Sequence, residues 1–129
     1  MDQELPVVPD PEVLRHFWNV QRSRAHLAEA ESYFGPTTLG AVQPPAWTYG
    51  STRSEADAFA ARVVADGGAH VITPSAEYPV GEEPHVGTFS ILCDGVGRPV
   101  ALLSVEQVVV DEAPGGDVRE YFTVVKARP

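Results

Sequence analysis

Hydrophobic residues in the first half of this chain recur every three or four positions, whereas those in the second half mostly alternate with polar ones. The first pattern predicts a helix opening at Asp10-Pro11-Glu12. An aspartate there can cap, proline fits the first helical position and glutamate suits the first turn. Val13, Leu14, Phe17, Trp18 and Gln21 lie on one stripe that Ala25 and Ala28 continue. The helix is expected to fade between Glu31 and Phe34, before Gly35-Pro36. Phe17 and Trp18 read as core anchors. A second helix is expected from Thr52, which has capping-box spacing to Glu55. Its apolar face is Ala56, Phe59, Ala60, Val63 and Val64, and Asp66-Gly67-Gly68 ends it. Between the helices, residues 35–50 read as a connector that Pro44-Pro45 stiffens into an extended strap. Residues 1–9, interrupted by proline, are expected to be flexible.

After the second helix the period changes from 3.6 to 2. Ala69 to Thr73 fits a short strand stopped by Pro74, and a polar loop with Pro79, Gly81, Glu82, Glu83 and Pro84 follows. Phe89 to Cys93 and Pro99 to Val110 read as strands joined by the turn Asp94-Gly95-Val96-Gly97. A loop over 111–117 leads to a last β-rich run, Tyr121 to Ala127. Two helices followed by strands with tight turns predict an α+β protein on a small barrel or curled sheet. No internal repeat is visible.

Composition narrows the function. The chain has 129 residues, 43% of them hydrophobic, which suits one domain with a real core. Nine basic against eighteen acidic residues give a net charge of −9, a poor basis for sequence-independent nucleic-acid binding. Lys126 is the one lysine, although Arg15, Arg22 and Arg24 cluster in sequence. No run is long enough to span a membrane, and the acidic opening does not read as a secretory signal, so a cytoplasmic location is expected. The single cysteine, Cys93, lies in an apolar strand and reads as a core residue. His16, His26, His70 and His85 lack metal-ligand spacing. Neither a metal nor a cofactor is expected.

The middle of the chain resembles the ASCH family of PUA-like β-barrel proteins, in its actinobacterial form. Trp47-Thr48-Tyr49-Gly50 followed by Glu55-Ala56-Asp57 resembles the family's entry into its first barrel helix. The block from Val86-Gly87-Thr88 through Asp94-Gly95-Val96-Gly97-Arg98-Pro99 resembles its most recognisable stretch. Phe17-Trp18 and Gly35-Pro36 resemble the extension of larger members, so the likeness runs over about residues 14–110. It implies a small PUA-like β-barrel with two main helices packed on it. The helical extension and strap would occupy 10–46 and the barrel core 47–129. It also implies a cleft that binds RNA or modified nucleosides. Some members are amidohydrolases acting on acetylated cytidine, and others have been viewed as ribonucleases.

Those enzymes use a lysine and a threonine after the helix and a glutamate on the strand following the hairpin, the logic of an activated nucleophile. Carried over one by one, the lysine position falls on Gly68, the threonine on Val71 and the carboxylate on Ser104. None can do that chemistry. The family's acidic helix after the long strand is replaced by the short loop 111–117, and Tyr121 to Val125 is expected to close the barrel. His70 and Thr73 neighbour the lost lysine position, but alternation puts Ala69, Val71 and Thr73 on one strand face and His70 and Ile72 on the other. Glu106 is expected on the Ser104 face, where it could pair with Thr73. Trp47, Tyr49 and Tyr78 are candidates to stack on a base.

The candidate ligand contacts are therefore Trp47, Tyr49, His70, Thr73, Tyr78, Ser104 and Glu106, with no catalytic residue. The leading reading is a non-catalytic ASCH-like module that binds RNA, a nucleoside or a small ligand. One alternative is a nucleoside amidohydrolase or ribonuclease with a rearranged site. The other is an acidic domain that binds a protein partner.

Overall fold

In the computed structural model, Asp10 opens α1 (Pro11–Arg24) as expected: its Oδ1 accepts the Glu12 N–H at 2.9 Å and its carbonyl the Leu14 N–H at 3.0 Å. The described residues are 7–24, 43–78, 85–111, 113 and 115–125. The expected continuation of the first helix past Arg24, residues 35–42 of the connector, the loop around Glu82 and Lys126 all lie outside them. So do residues 1–6 of the expected flexible segment, while Val7 to Pro9 lie alongside Ala46 to Ser51.

The second described helix, α2 (Arg53–Asp66), is capped by Thr52, whose side chain accepts the Glu55 N–H at 3.2 Å. It ends at Gly67, whose N–H bonds to the Val63 carbonyl at 2.8 Å. Five strands follow the alternation: β1 (Ala46–Thr48), β2 (Gly68–Pro74), β3 (Phe89–Cys93), β4 (Pro99–Val110) and β5 (Asp117–Val124). They form one sheet in the order β1-β3-β4-β5-β2. All pairs are antiparallel except β1 with β3, where Trp47 sits opposite Leu92. The sheet curls into half a barrel, with β1 and β2 at its edges.

Three expectations change. The strap between the helices contributes an edge strand, because the extended backbone after Pro44-Pro45 pairs in parallel with β3. The last strand begins at Asp117, four residues before Tyr121, since Asp117 to Glu120 pair with β2 and Val118 to Glu120 with β4 as well. That strand also leaves the barrel unclosed: β5 lies inside the sheet, between β4 and β2.

Each face of the sheet has its own core. On the convex face Trp18 of α1 packs on Ile91, Cys93 and Leu102, all buried. Burial pushes the Cys93 thiol up from its ordinary 9.0 to about 11, and the adjacent Asp94 charge adds to the effect. On the concave face Phe59, Ala60 and Val63 of α2 meet Leu92, Ala101, Leu103, Val105 and Phe122. Tyr49 stacks on Phe59 at 4.1 Å between ring centroids, and Trp47 bridges Phe59 and Phe122 at 6.0 and 5.5 Å.

The residues that carried the family resemblance hold α2 to the β3–β4 hairpin. Buried Asp94 accepts the Val96 and Arg98 N–H groups at 3.0 Å each and pairs with Arg98 Nε at 3.0 Å. Gly95 donates its N–H to Asp57 Oδ1 at 2.8 Å. A β-carbon at Gly95 would lie 2.6 Å from the Arg53 carbonyl oxygen, so only glycine lets the turn approach the helix this closely.

Candidate functional site

Where α2 no longer covers the concave face, the strands continue and leave a cup of about 320 Å³. Alternation decides what points into it. From β2 come Val71 and Thr73, from β3 Ser90, from β4 Val105, and from β5 Glu120 and Phe122. Pro45, Trp47, Tyr78, Thr88 and Phe89 complete the lining. The wall is mostly apolar, with four hydroxyls and one carboxylate, and among the described residues no lysine, arginine or histidine lines it.

Two hydrogen bonds organise the polar groups. Tyr78, placed by the 3-10 turn Ser75–Glu77 after β2, donates its phenol to Glu120 Oε1 at 2.9 Å, and Thr73 lines the same cup. Burial raises the phenol's pKa above its ordinary 10.0. The Thr73 hydroxyl opposes this rise, and the Glu120 carboxylate adds to it. Across the cup the Trp47 indole donates to Ser90 Oγ at 2.9 Å, which fixes the ring's edge. Tyr78 therefore remains a phenol at neutral pH and supplies no general base.

The residues expected to touch a ligand divide into two groups. Trp47, Thr73 and Tyr78 come together in the cup. Tyr49 and His70 line a different hollow, with Phe59, Arg62, Val63, Asp66, Gly68 and Ala69. His70 also meets Tyr121 at 5.6 Å between rings on the face that alternation gave it, away from Thr73. Ser104 sits opposite Phe89, on the convex side with Leu102, whereas its neighbours Leu103 and Val105 face the cup side. Glu106 is not on a continuing face at all: the β4–β5 register shifts between Val105 and Gln107, and the exposed Glu106 is the extra residue. The expected Thr73–Glu106 pairing is replaced by Thr73, Tyr78 and Glu120.

Of the positions carried over from the family, Val71 lines the cup and Gly68 does not. A β-carbon at Gly68 would lie 2.5 Å from the Phe122 carbonyl oxygen, so the backbone itself occupies the space a side chain would need. Glu120 was missed by the sequence reading, yet a signal exists. In Val118, Glu120, Phe122 and Val124 a carboxylate interrupts an otherwise apolar alternating row.

Among the described residues, no three His, Cys, Asp or Glu side chains converge to hold a metal ion. No described helix is long and apolar enough to cross a membrane. No family profile matches the chain, and no curated protein matches it in sequence. A solved structure is similar: protein EF3133 from Enterococcus faecalis V583, of the family DUF984. It superposes with a TM-score of 0.59 at 15% identity, covering 84% of this chain and 95% of its own. At that identity the likeness carries the fold alone.

Proposed function

We propose that this chain is a non-catalytic, ASCH-like module on a PUA-like half-barrel, and that the cup binds one nucleoside-sized ligand. The observation that carries the reading is the lining itself: aromatic and apolar walls, a few fixed polar groups and no cation among the described residues. A volume of about 320 Å³ lies at the small end of ligand pockets and suits a single base rather than a strand. With no basic side chain among its described lining residues, the cup offers phosphate no counter-charge, which argues for a nucleoside over RNA. The missing lysine and the protonated phenol argue against catalysis.

The Thr73–Tyr78–Glu120 arrangement favours a second reading, an enzyme with a rearranged site. Calorimetric titration of nucleosides, their 5′-monophosphates and short RNA, together with an acetylated-cytidine turnover assay, separates the two. The expected result is nucleoside binding that quenches Trp47 fluorescence, no gain from a phosphate and no turnover. Turnover abolished by Thr73→Ala would overturn the non-catalytic reading. Tighter, strongly salt-dependent binding of RNA would overturn the nucleoside reading.

A further inference from the structure

Charge in the cup is one-sided. Among the described residues Glu120 is the single charged side chain that lines it. Arg119, next to it in sequence, belongs to the other face of β5, where its Nη1 lies 3.4 Å from the Tyr121 hydroxyl. Arg62 and His70 line the separate hollow. Within the described residues the Glu120 carboxylate has the Tyr78 phenol as its hydrogen-bond partner, at 2.9 Å, and makes no ion pair. A phenol satisfies a lone pair without cancelling the charge. The aromatic lining adds potential of the same sign, because ring faces are negative. Trp47, Tyr78 and Phe122 all line the cup, with Trp47 and Phe122 at 5.5 Å between centroids.

Such a wall repels an anion, tolerates a neutral ring and attracts a cation. A cation close to aromatic rings gains from their quadrupoles, and gains more where water is excluded. Beside a partly buried carboxylate it also gains from direct Coulomb attraction. A cup of about 320 Å³ holds little more than one base, which keeps a charged ring near both. Resting on the nucleoside reading above, we propose that the cup, through Glu120 and the rings around it, selects a nucleoside whose base is positively charged. Methylation of a ring nitrogen gives adenine and cytosine that charge. It is delocalised over the base, so recognition requires the base to lie inside the cup and not one of its edges to match one wall.

The test is calorimetric titration of the full chain at neutral pH with two matched pairs. 1-methyladenosine and 3-methylcytidine are cations, whereas N6-methyladenosine and 5-methylcytidine carry the same methyl group on a neutral base. Each cation should bind at least about tenfold tighter than its neutral counterpart. Glu120→Gln keeps the side chain's shape and a carbonyl oxygen for Tyr78, and should weaken the cations about tenfold while leaving the neutral bases nearly unchanged. Tyr78→Phe keeps the ring and bares the carboxylate, so the preference should persist or widen. Thermal melts establish that each variant is folded. If Glu120→Gln does not fold, the wild-type ranking and Tyr78→Phe decide. Should the neutral nucleosides bind as tightly as the cations, the charge assignment falls and the nucleoside reading stands. A gap left unchanged by Glu120→Gln, or lost in Tyr78→Phe, overturns the assignment as well. Tetramethylammonium, a cation without a base, should bind far more weakly than 1-methyladenosine; equal binding would bring down the nucleoside reading and this assignment with it. Should no nucleoside bind, both fall.

Discussion

The two halves of the concave face share strands but not chemistry. Beneath α2 they show Leu92, Leu103 and Phe122, which meet Phe59 and Val63 of the helix. Two residues further along, the β3 and β5 rows read Ser90 and Glu120, which line the cup outside the buried cluster. The helix ends and the sheet does not, so the side chains beyond its reach are released from packing. The contrast shows how a small domain obtains a pocket without a second layer: one helix covers only part of a longer sheet.

Removing an anchor from each half tests that division most strongly. Phe59→Ala takes away the ring stacked on Tyr49 and should destabilise the fold by about 4 kcal/mol in urea denaturation. Tyr78→Phe removes only the hydrogen bond to Glu120 and should cost about 1 kcal/mol or less. Equal losses would show that the open half is core after all. Next in size is the clasp that holds the covered half together. Gly95→Ala forces a β-carbon against Arg53 and should cost about 2 kcal/mol, more than Asp57→Ala, which removes the hydrogen-bond acceptor alone.

The remaining effect is read by pH alone, is absent at neutral pH, and concerns the opposite face. The Cys93 thiol is raised to about 11 in the folded chain, so above pH 9.0 the unfolded thiol ionises while the folded one stays protonated. Its contribution is complete below pH 9.0 and is lost as pH climbs toward about 11. Chemical denaturation across that window should show falling stability, with a shallower slope in Cys93→Ala. At pH 8 roughly one folded thiol in a thousand is ionised, so alkylation should track unfolding.

Much of the fold was legible because local signals were strong. The β3 and β4 boundaries follow from alternation on either side of a glycine-rich turn, and Thr52 with Glu55 announced the helix start. What escaped depends on distance. A three-residue parallel strand paired with residues more than forty positions away leaves no local trace. The cup is half legible: Trp47, Thr73 and Tyr78 stand out in the sequence, but Glu120 lies in the part of β5 before Tyr121, where the strand signal is weak. Ser104 and Glu106 were misplaced for a related reason. Which face is inward, and where a bulge resets the count, are properties of pairing rather than of one strand.

The close approach at Gly68 has a directional consequence. The Phe122 carbonyl already stands where a side chain at 68 would begin. A larger residue can give way to glycine at such a position without disturbing its neighbours, but replacing the glycine requires the adjoining strand to move. Changes toward glycine here are therefore easier to accept than changes away from it, and the asymmetry is held by the main chain.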